Sequence, residues 1–169
     1  MKKVRKDVFE TNSSSTHALS ITNGSQSDYL SPSSTLVVDF IDTDDCGTLC
    51  TLKEKVSYLV SQIVNKYKWD VYDYEDLKEQ VEHDWDFQRI SLFVKEKYNK
   101  NVVLPKNHKV NRYKGEDGEE YNDLEDIVNI NHQIQYSDLD ELLSSLVNHN
   151  RDLLEEVLRT DTIIEFGRD

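Results

Sequence analysis

Seven consecutive residues near the start of the chain, Thr11, Asn12, Ser13, Ser14, Ser15, Thr16 and His17, carry polar side chains, with no glycine or proline among them. Each hydroxyl can donate one hydrogen bond, and an imidazole changes charge near neutral pH. Arg5, Lys6 and Glu10 stand just before them. Such groups together can hold an anion, with a guanidinium supplying fixed charge. Without glycine the backbone cannot wrap a phosphate as a P-loop does. Binding would use side chains, or N–H groups at a turn or helix start. The ligand class this predicts is a phosphorylated small molecule such as a nucleotide. Its contacts would be Arg5, Glu10, Asn12, Ser13, Ser14, Ser15, Thr16 and His17, with His132 as a further candidate. The same residues also read as a plain turn whose hydroxyls satisfy their own backbone.

Catalysis asks for more. A nucleophilic serine needs a base and an orienting group brought from distant segments. His17, two to four residues from the serines, is not a triad with them by itself. Glu10 or a distant Asp could orient the base, with His132 as an alternative base, but no Gly-x-Ser-x-Gly elbow is present. Cys46 and Cys50 have the look of half a zinc site, and no second pair exists to complete it. The carboxylates Asp39, Asp42, Asp44 and Asp45 read as a solvated turn after a strand. The expectation is a protein that binds rather than turns over, with no metal and no cofactor.

A second chemical feature lies at residues 70–87, "DVYDYEDLKEQVEHDWDF". Eight carboxylates (Asp70, Asp73, Glu75, Asp76, Glu79, Glu82, Asp84 and Asp86) stand there against one lysine, with Tyr72, Tyr74, Trp85 and Phe87 interleaved. Carboxylates spaced along a surface can imitate nucleic-acid phosphates and enter a basic groove, and aromatics can anchor the contact. The plain alternative is a solvated helix face with its aromatics turned inward.

Net charge weighs on both features. The chain carries −13 overall, which disfavours direct nucleic-acid or anionic-membrane binding and favours a basic partner. Residues 1–38 hold four Lys/Arg against Asp7, Glu10 and Asp28, a net of +1, so the remaining chain carries −14 and the polar cluster sits beside the only dense basic group at that end. No apolar run approaches the roughly 20 residues that span a bilayer, and no apolar stretch follows the basic start as in a secretory signal. Two cysteines are too few for a disulfide framework. These points lead to the expectation of a soluble protein of the cytoplasm.

The elements that must position these residues follow from periodicity. Residues 16–22 alternate and predict a strand. Residues 35–41 ("TLVVDFI") are the clearest strand, broken by "DTDDCGT". Leu52, Val56, Leu59, Val60, Ile63 and Tyr67 share one face of a helix over 49–67, capped by Thr48 or Thr51. Helices are predicted at 73–82 and 86–98, and a short strand at 101–105 stopped by Pro105. Residues 106–123 are polar and read as an exposed excursion. A strand at 125–134, a helix opening at Ser137, a helix at 151–159 and a strand at 161–166 complete the chain. The class predicted is α+β: a single domain over residues 1–169, with a small mixed sheet packed by about four to five helices.

The opening "VRKDVFETNSSSTHALSI" resembles that of a group of uncharacterised small proteins of tailed phages and prophages of Gram-positive bacteria. In that group an Arg is followed, after two or three residues, by Phe-Glu-Thr-Asn-Ser-Ser-Ser, then Ser or Thr, then His, and here these are Arg5 and Phe9 to His17. Ala18 stands where the group often has Ser, so the last hydroxyl of the motif is missing. His132-Gln133 and the terminal Gly167-Arg168-Asp169 are similar to later features of the group. The resemblance implies origin more than mechanism: an accessory protein acting in the cytoplasm of a bacterial host. The expected function is binding to a basic host protein, inhibiting a defence system or host enzyme through the acidic surface. The alternative is sequestering or cleaving a nucleotide with the N-terminal cluster.

Overall fold

The computed structural model describes residues 17–23, 32–41, 46–68, 71, 73–106, 111–114, 120–123 and 151–168. Among them lie seven strands and four helices. They are β1 (His17–Asn23), β2 (Thr35–Val37), β3 (Cys46–Leu49), α1 (Leu52–Tyr67), α2 (Tyr74–His83), α3 (Trp85–Tyr98), β4 (Asn101–Val103), β5 (Asn111–Lys114), β6 (Glu120–Asp123), α4 (Arg151–Leu158) and β7 (Thr162–Arg168). The class is α+β, as the periodicity predicts.

β7 lies between β1 and β3, antiparallel to both. β2 and β4 form a parallel pair, and β5 and β6 an antiparallel one. β3 falls where the sequence reads as a break: its four residues include Gly47, and pairing to β7 supplies what propensity does not. The polar stretch 106–123 contains the β5–β6 pair, with Tyr113 opposite Tyr121. The predicted strand at 125–134 and the helix from Ser137 fall outside the described residues.

The strand predicted over 35–41 is ladder-bonded only at its start. Its partner β4 ends at Val103, two residues before Pro105, so the ladder has nowhere to continue. Val38 N–H still reaches Val103 O at 3.0 Å. Beyond it the backbone turns to α1: Asp39 N–H donates to Ser57 Oγ (3.0 Å) and Ile41 N–H to Ser61 Oγ (2.9 Å). Ser57 and Ser61 are one helical turn apart, and each satisfies a backbone donor that would otherwise be orphaned.

Helix α1 is the centre of the molecule. Thr51 caps it: Thr51 Oγ1 accepts from Glu54 N–H, while the Glu54 carboxylate accepts from the backbone of Thr51 and Cys50, a complete capping box. Partial burial pushes the Glu54 carboxyl up, but those N–H groups outweigh it and hold it below the ordinary value. Every residue from Lys55 to Asn65 is buried, far more than the one face the apolar spacing predicts. α2 and α3 pack against it, α4 closes another side, and Leu59, Val60, Ile63, Leu77, Ile90 and Leu158 meet in the core.

Two buried phenols make the core sensitive to alkali. Burial pushes Tyr58 up to about 12. Tyr74 is also pushed up to about 12, by burial and then by Glu75 and Glu82, while its hydroxyl donates to Pro105 O at 2.7 Å. Ionising either is harder in the folded chain than in the unfolded one. Both contributions to stability are therefore present in full below the ordinary phenol value near 10 and are lost as pH climbs through about 12. In an alkaline titration followed at 295 nm, Tyr58 and Tyr74 are expected to ionise only as helical circular dichroism collapses. Full ionisation of all nine tyrosines with the helical signal intact would contradict this packing.

Candidate functional site

Of the N-terminal set, Arg5, Glu10, Asn12, Ser13, Ser14, Ser15 and Thr16 lie outside the described residues, as does His132. His17 is the first residue of β1, so the polar cluster runs directly into the three-stranded sheet. In the register of that sheet His17 pairs with Arg168 of β7, and the next β7 residue inward, Gly167, pairs with Cys46 of β3. Arg168 belongs to the terminal Gly167-Arg168-Asp169, and nothing in its sequence surroundings marks it as a neighbour of the polar cluster. It stands 151 positions after its partner, and no local spacing announces the pairing.

The acidic stretch is built from α2, its caps and the start of α3. Tyr74, Leu77 and Val81 form the buried side of α2, at steps of three and four. The opposite side carries Glu75, Glu79 and Glu82, all exposed. Lys78 sits among them and reaches Glu75 at 3.9 Å. His83 is exposed too, with its Nδ1 2.8 Å from Glu79 O. Asp76 is half-buried, and Asp73 is the N-cap of α2, accepting from Asp76 N–H at 2.9 Å.

Asp84 belongs to the fold and not to this surface. It was expected to meet a partner, yet its side chain is only 4% exposed. One carboxylate oxygen caps α3, accepting from Asp86 N–H (2.8 Å) and Phe87 N–H (3.2 Å). The other accepts from Tyr67 Oη (2.7 Å) and Lys66 Nζ (3.3 Å). Burial alone would lower the Lys66 ammonium, but Asp84 outweighs it and the net shift is upward. A carboxylate with four donors around it welds α1 to the α2–α3 junction. Asp86 is half-buried in the first turn of α3, and Asp70 lies outside the described residues.

The aromatics divide. Tyr74 and Phe87 turn inward, as the solvated-helix reading expects. Trp85 does not: it is 64% exposed, with the Arg89 guanidinium 5.9 Å from its ring centroid. Among the described residues, no group of three or more His, Cys, Asp or Glu side chains is placed to hold a metal ion, and no helix is long and apolar enough to cross a membrane.

Comparison with protein-family models, with curated proteins and with solved structures returns no match.

Proposed function

We propose that this chain acts by binding, presenting the acidic row of α2 to a basic surface on another protein. The observation that supports it is the division of α2 into an apolar side spent on the core and an exposed side of Glu75, Glu79 and Glu82. Along the helix the row places three carboxylates within about 10 Å, a charge density of the same order as one strand of duplex phosphates, at about 3.4 Å each. A nucleic-acid-handling protein offers the complementary groove. The resemblance of the opening motif sets this in a phage-type accessory protein working in a bacterial cytoplasm against a host defence system or enzyme.

The test neutralises the row without removing its shape. Glu75→Gln, Glu79→Gln and Glu82→Gln together change exposed side chains, and folding stability is expected to move by no more than about 0.5 kcal/mol per site. A host protein captured by the wild type is expected to bind the triple variant about ten- to a hundredfold more weakly, from roughly 0.5–1 kcal/mol per charge. Duplex DNA should compete for the same partner. Equal capture by both baits, with no competition, would sink the proposal.

A second reading, a phosphorylated small molecule held by the N-terminal cluster, has one observation in its favour. The register sets Arg168 opposite His17, where the cluster joins the sheet. It is separable from the first because changes on α2 should leave such binding untouched.

A further inference from the structure

Among the described residues three large apolar side chains are exposed: Val37, Trp85 and Leu92. Two of them are on α3, seven residues apart and so on one side of the helix, at 64% and 59% exposure. Exposed Gln88, Lys95, Glu96 and Asn99 and half-buried Arg89 complete that side. The steps 85, 88, 92, 95, 99 run three, four, three, four, the spacing of a helix–helix seam. The inward side, Phe87, Ile90, Phe93 and Val94, is already spent on the core.

We infer that this outer face of α3 pairs with the same face of a second copy of the chain, antiparallel, about a two-fold axis at Leu92. At about 100° and 1.5 Å per residue, Trp85, Arg89 and Glu96 lie on one flank of Leu92, and Gln88, Lys95 and Asn99 on the other. A two-fold axis perpendicular to antiparallel helices sets like flank against like flank. Leu92 then meets Leu92 of the second copy. Arg89 comes level, within about 1.5 Å along the axis, with Glu96 of the second copy, and the symmetry repeats the pair. Gln88 faces Lys95 of the second copy, and Trp85 covers the last turn around Asn99 of the second copy. No like charges are set directly opposite each other.

Charge also selects this face. Two chains of −13 repel, yet α3 carries Arg89, Lys95 and Lys97 against Asp86 and Glu96. Two copies can approach on this helix with less repulsion than on α2, whose four carboxylates and one lysine oppose such a contact. The acidic N-terminal turn of each α3 is brought toward the basic last turn of the other, which also sets the helix dipoles favourably. One helix per subunit buries less than the roughly 800 Å² per partner of a standard interface, so the dimer is concentration-dependent. This inference does not rest on the basic-partner reading. If both hold, each dimer carries two acidic rows.

Sedimentation equilibrium of the full chain from about 5 to 500 μM tests it. The wild-type weight-average mass is expected to rise from 19.8 kDa toward twice that value. Leu92→Glu should hold it at 19.8 kDa throughout. Arg89→Glu should weaken association about tenfold or more, and the swap Arg89→Glu with Glu96→Arg should restore it, a recovery that a merely misfolded variant cannot show. A wild type that stays monomeric throughout overturns the inference. So does a dimer indifferent to Leu92→Glu, or a charge swap that fails to restore association.

Discussion

Replacing Lys55 with methionine is expected to destabilise the fold by about 3–5 kcal/mol, a large share of the roughly 5–15 kcal/mol available to a domain of this kind. Lys55 is fully buried on α1. Its ammonium donates to Arg159 O (2.5 Å), Thr162 O (2.6 Å) and Thr162 Oγ1 (3.0 Å). Those acceptors form the turn from α4 into β7, where a helix leaves carbonyls unpaired and where its dipole favours a cation. Thr162 Oγ1 lies 2.9 Å from Arg159 O and 3.2 Å from Glu156 O, tightening the same turn. Methionine keeps the aliphatic stem and removes the charge, so the loss measured in urea reads the ammonium's three bonds, those from a charged donor being worth about 1.5–3 kcal/mol each. Amide exchange in β7 should quicken first. A variant within about 1 kcal/mol of wild type would mean that the turn holds itself together.

Leu59→Ala is expected to cost about 2–5 kcal/mol, from lost burial and the cavity left behind. Leu59 is 2% exposed on the helix against which α2, α3 and α4 all pack. Chemical denaturation of the variant checks this, with the slope unchanged and the midpoint lowered. A change below about 1 kcal/mol would show that α1 is peripheral, contrary to the packing.

Leu59 and Lys55 also show what a sequence can carry. The apolar spacing of Leu52, Val56, Leu59, Val60 and Ile63 predicts α1 and its role, because a 3.6-residue period survives without knowledge of the neighbours. Thr51 and Glu54 are three apart, so the cap too is local. Lys55 could not be found this way. Its acceptors are backbone carbonyls 104 and 107 residues away, and nothing beside a lysine in a helix says that it will be enclosed. Ser57 and Ser61 are similar cases, since their role depends on where β4 ends. The acidic row of α2 was legible as composition. Which carboxylates face solvent was not: Asp84 and Glu82 look alike in the sequence, yet one is a buried four-donor hub and the other is exposed. Trp85 and Phe87 likewise differ only by their position on α3. The register that sets Arg168 against His17 depends on strand order, which periodicity does not encode.

The claim that the exposed carboxylates of α2 meet a basic partner is tested most directly by the salt dependence of that binding. The captured partner would be titrated against the wild type and against the triple glutamine variant at about 50, 150 and 500 mM salt, where the screening length falls from above 10 Å to below 8 Å. The wild-type Kd is expected to weaken steeply with salt, and the variant to bind more weakly with a flatter dependence. An affinity indifferent to salt, or a variant whose Kd and salt slope match the wild type, would contradict it.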